Sequence, residues 1–472
     1  MIADSAGIDP VAGDSADSMD GREFSFDAAD HVQVAAGDFV TFREPDGRLQ
    51  IGQVYEADEV IGGGSVRCRG KILGVLVAEG GFESRRSHPF TNATVAQADT
   101  EAIELVYAAA GATLRVGSFM AADNIHARLM PQRFNRHTFW CGQSGSGKTY
   151  ALGVLLEQLL IGTGLPMVIF DPNGDFVKMH EAHPDAEGTE KDRQALADRD
   201  IRILQPGAPD PGGLYVRFTD LPMPAKAAVL RLDPLVDHAE YNELFHLEET
   251  VGSRESHEIV ARLRARGDAG ATALAARVEN LRLIDWGVWA MQRQPVTEIL
   301  DARPDATVLD LGGFAFADEY LVVAMAVLDD LWAKREGRRP ILIVIDEAHN
   351  LCSPDQNTPL RRAVRERIIQ IAAEGRKFGL WLLLSTQRPS RIDPSIISQC
   401  DNLALMKTSS ALDIQELATI FGYAPHAMLA RSPTFRQGEA LFAGGFVPAP
   451  SLIRMSARLT REGGSDVSVP LR

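Results

Sequence analysis

The run Gly142-Gln143-Ser144-Gly145-Ser146-Gly147-Lys148-Thr149 fits the spacing GxxxxGK[ST]. Glycines at these places let the backbone curl until successive N–H groups face one anion, and a helix that follows points its positive end at the same spot. Lys148 would reach the β and γ phosphates of ATP or GTP, and the Thr149 hydroxyl would ligate Mg²⁺. The expected nucleotide contacts are Gly142, Gln143, Ser144, Gly145, Ser146, Gly147, Lys148, Thr149 and, one residue on, Tyr150. The alternative is a chance glycine loop. The chain has only 8 lysines, so a coincident Gly-Lys-Thr is rare, and the flanking strand and helix patterns are those the motif requires.

A second set lies far downstream. Ile341-Leu342-Ile343-Val344-Ile345 is an unbroken apolar run that ends in Asp346 and Glu347. A buried parallel strand delivers its C-terminal end to the crevice where ligands sit. Asp346 is expected to hold Mg²⁺, directly or through water. Glu347 is expected to orient and polarise the attacking water as general base. A buried strand that merely ends in solvated acids is the competing reading, weakened by the phosphate loop. Asp346-Glu347-Ala348-His349 also spells the tetrad of one helicase superfamily. The 198 positions from Lys148 to Asp346 are long for those enzymes, and no Ser-Ala-Thr follows. Leu382–Thr386 leads into Gln387, an amide at a strand end placed to sense the γ-phosphate; an ordinary loop residue is the less favoured reading. Arg376, in Glu374-Gly375-Arg376-Lys377-Phe378-Gly379, could act as an arginine finger, stabilising transition-state charge in a neighbouring subunit. Spacing alone favours a solvated arginine at a helix end.

Positioning these groups calls for a parallel sheet. His137–Cys141, Met167–Phe170, Ile201–Leu204, Leu214–Phe218, Val308–Leu311, Ile341–Ile345, Leu380–Ser385 and Leu403–Lys407 read as short strands separated by helices, the α/β pattern with helices on both faces. Tyr320–Lys334 reads as a long amphipathic helix, and about 222–300 as a helical insertion. Phe24 to about Ala110 carries strand signals, among them Asp38–Arg43, a Glu44-Pro45-Asp46-Gly47 turn and Leu49–Tyr55, at the close spacing of a small barrel. Gly62-Gly63-Gly64 reads as a plain loop. The expected division is a disordered acidic N-terminus at 1–23, a barrel at 24–115, the ATPase domain at 116–455 and a tail at 456–472.

The chain of 472 residues is 45% hydrophobic with a formal net charge of −16. Such acidity excludes a protein that coats DNA along its whole surface, though not a ring with a basic channel. Cys68, Cys141, Cys352 and Cys400 are scattered and lack CxxC spacing, so neither a zinc site nor a disulfide framework is expected, and reduced thiols in cytoplasm are. No run approaches the roughly 18 apolar residues that cross a bilayer.

Taken in order, Gly142–Thr149, Val168–Phe176 with its Asp171-Pro172-Asn173-Gly174-Asp175-Phe176 stretch, Ile341–His349, Glu374–Gly379, Ser385-Thr386-Gln387-Arg388-Pro389, Cys400-Asp401-Asn402 and Gly438-Glu439-Ala440 resemble the HerA group of the HerA–FtsK superfamily of hexameric DNA-translocating ATPases. The resemblance spans roughly Phe24 to Arg461. It implies a RecA-like P-loop ATPase core with a helical insertion, plus an N-terminal small β-barrel of the HAS type. It implies ATP and Mg²⁺ as cofactors and a homo-hexamer with ATP at each interface. It also implies double-stranded DNA through the centre and a nuclease or other effector docked on the barrel. Arg376 matches the family's trans-acting arginine, which reverses the reading from spacing, and Gln387 matches the sensor amide. The C-terminal stretch resembles the segment that braces the adjacent subunit. Asn173, Asp175-Phe176 and Ser144 depart from the family's common residues, mildly.

Channel arginines are harder to place: Arg361, Arg362, Arg365, Arg367, Arg376 and Lys377 form one basic cluster and Arg262, Arg264 and Arg266 another. Phosphate contact and solvated helix faces fit each equally. The functional expectation is an ATP-driven duplex-DNA translocase serving a nuclease in end processing or anti-phage defence. The alternatives are an ATPase scaffold that gates an effector without processive movement and a membrane-tethered motor of the FtsK type, disfavoured by the missing membrane segment.

Overall fold

Along Glu23–Ala29 buried and exposed side chains alternate, placing Phe24, Phe26 and Ala28 on one face. That period-two pattern makes a half-buried strand, and here the strands close on themselves. The computed structural model describes residues 15–29, 34–60, 65–77, 80–184, 189–247, 258–355 and 358–464. Its first strands are β1 (Ser15–Ser18), β2 (Glu23–Ala29), β3 (Phe39–Arg43), β4 (Leu49–Glu59), β5 (Ser65–Val77), β6 (Gly81–Glu83) and β7 (Phe90–Gln97). They run in the order β2-β1-β7-β3-β4-β5 and then back to β2, a closed six-strand barrel with β6 added beside β5. Phe24, Phe42 and Phe90 fill it, with ring centroids 4.6 and 5.2 Å apart. At Gly70 a Cβ would lie 1.9 Å from the Gln53 carbonyl oxygen. Only glycine allows that approach, opposite the β4 irregularity between Val54 and Glu56.

Two expectations for this region need correction. Ser15–Ser18 lies in the stretch assigned to a disordered N-terminus, yet it is paired between β2 and β7, with Ala16 and Ser18 buried. Small alternating residues suffice where both neighbouring strands supply the ladder. Thr100–Ala109, within the barrel segment, is a helix capped by Asp99, whose carboxylate accepts from Ala102 N at 2.8 Å. Residues 1–14, the Gly62–Gly64 loop and 465–472 fall outside the described residues.

The remaining strands are β8 (Leu114–Phe119), β9 (Ala122–Leu129), β10 (His137–Cys141), β11 (Met167–Asp171), β12 (Ile201–Leu204), β13 (Ala306–Asp310), β14 (Ile341–Ile345), β15 (Leu380–Thr386), β16 (Cys400–Met406), β17 (Glu439–Gly444) and β18 (Ser451–Met455). The chain divides into two units. The first takes residues through Phe134, Trp140–Gly162 and Asp401–Ala457; the second takes Asn135–Phe139, Thr163–Cys400 and the chain from Arg458 onward. In the first, β16-β17-β18-β8-β9 form an antiparallel sheet. The barrel packs on it: the buried Gln53 amide donates to the Pro450 carbonyl at 2.6 Å, and Tyr107 shares a 2.6 Å hydrogen bond with Ser451.

In the second unit β12-β13-β11-β14-β15 is an all-parallel sheet. Its central strand β14 is apolar throughout, as a strand covered on both faces demands, while the edge strand β12 carries the exposed Arg202. Glu319–Ala333 is a helix, but its expected amphipathic face is missing: Leu321 through Asp329 are all buried, the mark of a helix enclosed by protein. Leu214–Phe218 is not a strand. Val216 alone pairs, with Trp289, and the chain turns into a 3₁₀ helix at Phe218–Asp220. Short helices follow at Met223–Val229, His238–Phe245, Ile259–Arg266, Ala269–Asn280 and Val296–Asp301. Among the described residues no helix is long and apolar enough to cross a membrane, and all four cysteines are buried and unbridged.

Candidate functional site

The glycine loop belongs to the first unit. It leaves β10 at Gly142 and ends in the helix Lys148–Gly162, whose first residue, Lys148, is buried. Gly145 and Gly147 have φ of +77° and +83°, a backbone that side-chained residues rarely adopt. Gly142 has no room for a Cβ, which would stand 2.7 Å from Met406 Cβ. The loop is tied down from both sides. Gln143 N donates to Lys407 O at 2.8 Å, Ser409 N donates to the Gln143 side-chain oxygen at 3.0 Å, and Gly438 N donates to Ser146 O at 3.0 Å. The Gly438-Glu439-Ala440 motif therefore acts as a buttress for this loop. The Ser146 hydroxyl is fully buried with no hydrogen-bond partner among the described residues. An orphan donor inside a loop of inward-curled amides is suited to an anion such as a nucleotide phosphate. Ser144, Gly145 and Tyr150 are exposed and Thr149 is half-buried at the helix start.

The carboxylates belong to the second unit. Parallel register sets Phe170 level with Ile345 and Ile345 level with Leu384. One residue further, Asp171, Asp346 and Ser385 stand side by side at the C-terminal edge of the sheet. The Ser385 hydroxyl donates to Asp346 Oδ1 at 2.6 Å. Glu347 has φ of +44°, a left-handed conformation that costs a non-glycine residue about 1–2 kcal/mol. It is held there by Ala348 N donating to Ser385 O at 2.8 Å and Asn350 N donating to Glu347 O at 2.8 Å. The Gln387 amide donates to Glu347 Oε1 at 2.7 Å, and His349 Nδ1 lies 3.2 Å from both Glu347 Oε2 and Thr386 Oγ1. Asp346, Glu347 and Gln387 are thus brought together on the ends of β14 and β15, with Glu347 aimed by an amide.

Sequence reasoning placed Asp171 at a strand end and gave it no role. It is fully buried, and its carboxylate accepts from Asp175 N at 3.0 Å and Phe176 N at 2.7 Å. Burial pushes its pKa up to about 7; the two amides oppose the rise, and the carboxylates of Asp175 and Asp346 add to it. With its charged form disfavoured by burial beside Asp346, Asp171 is a candidate proton acceptor at this edge of the sheet. Its signal in the sequence was an apolar strand ending in Asp followed by Pro-Asn-Gly.

Arg376 sits on the 3₁₀ turn Gly375–Phe378, before β15, while Gln387 follows that strand's other end. Seven residues at roughly 3.3 Å each separate the two ends by about 20 Å. One chain therefore does not bring Arg376 to its own Gln387. Most other arginines of the basic clusters are engaged within the chain. Arg367 pairs with Asp329 at 2.6 Å and Arg365 donates to Pro354 O at 2.7 Å, while Arg262, Arg264 and Arg266 pair with Glu258, Glu279 and Glu243. Arg362 and Lys377 are exposed. Among the described residues no three metal-ligating side chains cluster.

Residues 114–325 match the family model described as the central domain of helicase HerA. The chain is similar to a DNA double-strand break repair helicase HerA of Sulfolobus acidocaldarius, 22% identical over 85% of this chain and 80% of that one. It is also similar to the protein of the same description from Pyrococcus furiosus, 21% identical over 96% and 94%. Among solved structures, VirB4 of Thermoanaerobacter pseudethanolicus aligns over 74% of this chain and 97% of that chain, with a TM-score of 0.49 and 14% identity.

Proposed function

We propose that the chain is a HerA-like P-loop ATPase that forms a ring and moves along double-stranded DNA at the expense of ATP, working in the cytoplasm with a partner nuclease in DNA end processing or anti-phage defence. The observation that carries this reading is the separation of Arg376 from Gln387 by the length of β15. An arginine that cannot serve its own site, in a chain with an otherwise complete set of hydrolytic groups, is suited to completing a neighbour's site, which a closed ring provides at every interface.

In this reading the loop Gly142–Gly147 cradles the phosphates of ATP through its amides and the Ser146 hydroxyl, and Lys148 neutralises the β and γ oxygens. Mg²⁺, held by Thr149 and by Asp346, would supply charge neutralisation between those phosphates. Ser385 fixes the Asp346 carboxylate for that task. Glu347 orients the attacking water and draws its proton. Gln387 holds Glu347 by a charge-assisted hydrogen bond of the kind that contributes roughly 1.5–3 kcal/mol, so displacing that amide couples the γ-phosphate to the base. Asp171 accepts or relays a proton beside Asp346. The neighbour's Arg376 stabilises charge on the transferring phosphoryl group. The closed barrel shares a unit with the phosphate loop, which suits it to dock an effector linked to nucleotide state.

Displacement of a third strand from a triplex on linear duplex DNA tests this directly. ATP-dependent displacement, lost with Glu347→Ala, is expected. ATP turnover without displacement would leave the second reading, a scaffold that gates its effector. The intrachain pairing of most clustered arginines favours that alternative.

A further inference from the structure

The C-terminal segment, expected to brace an adjacent subunit, is built into its own chain through residues 458–464. Arg458, Leu459 and Thr460 are buried, and Thr460 bridges to Ala182. His183 N donates to Leu459 O at 2.8 Å, Arg461 N donates to Glu181 O at 3.0 Å, and the Arg461 guanidinium meets the Glu181 carboxylate at 3.1 Å. The Arg458 guanidinium lies over the Phe176 ring, 5.5 Å from its centroid.

We infer that this strap is a positioning element for Asp171, acting through the single peptide group between Asp175 and Phe176. That group's carbonyl accepts from Gly463 N at 3.0 Å, and its N–H donates to Asp171 Oδ2 at 2.7 Å. The strap grips one side and the carboxylate is held by the other. The cation–π contact of Arg458 on Phe176 and the approach of Gly463 to Gly174 fix the same turn from two further points. A Cβ on Gly463 would stand 1.8 Å from Gly174 O, so the strap lies as close to this turn as a backbone can. The Asp171 carboxylate accepts from the turn, at Asp175 N and Phe176 N, and is reached by the strap through that turn. Arg458 and Gly463 are therefore positioning residues, and the inference rests on the reading of the β11 and β14 ends as part of the nucleotide site.

Gly463→Ala is the test, because its φ lies outside the left-handed region and the perturbation is confined to clashes with this turn, at Gly174 O and at Val177 Cγ2, which would stand 2.7 Å from the new Cβ. Two readouts are taken on the full chain: hydrogen exchange of the segment 172–183 without nucleotide, and steady-state ATPase. Exchange in that segment should quicken, and kcat should fall about ten- to hundredfold with the ATP KM within about threefold, as for a misplaced group rather than a lost binding contact. Added to Asp171→Asn, the alanine should cost nothing further. Unchanged exchange with unchanged kcat would overturn the inference, and so would losses that multiply in the double variant. If Gly463→Ala does not fold, a chain ending at Glu462 removes the same N–H donor and must show the same pattern. A wild-type chain without ATPase activity would instead sink the nucleotide reading, while the exchange result would still judge the strap.

Discussion

Subunits carrying Glu347→Ala and subunits carrying Arg376→Ala should each be inactive alone and should rescue one another when mixed. Arg376 precedes β15 and Gln387 follows it. The seven-residue strand between them spans about 20 Å, well beyond an arginine side chain, so an Arg376 at the γ-phosphate comes from the neighbour. Each variant should lower turnover by roughly a thousandfold, the usual worth of a trans-acting arginine or more. In an equal mixture that assembles at random, an interface is intact when its base comes from an Arg376→Ala subunit and its arginine from a Glu347→Ala subunit. That is about one interface in four, so independent sites should recover roughly a quarter of wild-type activity, about 250-fold above either variant alone. The assay is ATPase of chains unfolded and refolded together, with two affinity tags confirming that rings are mixed. Mixed rings with no recovery would refute the reasoning, since that is the outcome if both residues serve the same chain's site.

Gln387→Ala should lower kcat about ten- to hundredfold with little change in the ATP KM, because the amide aims the base rather than holding ATP; a KM effect alone would contradict this. Ser385→Ala should raise the Mg²⁺ concentration for half-maximal activity about ten- to hundredfold, since the hydroxyl orients Asp346; titration of turnover against Mg²⁺ measures it. His137 is fully buried, accepts from Leu382 N at 2.9 Å and reaches the Ala372 carbonyl at 3.0 Å, and burial lowers its pKa from 6.5 to about 4, assisted by the nearby Arg376 charge. A histidine that protonates more readily unfolded than folded stabilises the fold fully above about pH 6.5, and that contribution is lost as pH falls toward 4, by about 3 kcal/mol in all. Urea midpoints should show His137→Gln less stable at pH 7.5 but with a flatter decline between pH 6.5 and 4; parallel declines would contradict it.

Much of the candidate site was legible because its motifs are local. A phosphate loop is eight consecutive residues whose backbone must curl, and Asp346-Glu347 declares itself as the end of the most apolar strand. Asp171 was not legible as a partner, since only parallel register sets it beside Asp346. Barrel closure was equally hidden: strand pattern marks each element, but the pairing of β2 with β5 is a long-range contact. The helix at Thr100–Ala109 was visible in its Asp99 cap and in Ile103, Val106 and Tyr107 at helical spacing, and was masked by the strands around it. Leu214–Phe218 misled because apolar alternation occurs where a single bridge, and no ladder, forms. The strap at 458–464 reads as a polar tail, and its burial comes from backbone hydrogen bonds and a stacked guanidinium that composition does not reveal.

Steady-state ATPase of the purified chain, with and without linear duplex DNA and with Glu347→Ala as control, bears most directly on the claim that this is a DNA-driven motor. Strong stimulation by DNA that disappears in the variant is the predicted result. Basal turnover indifferent to DNA would contradict it.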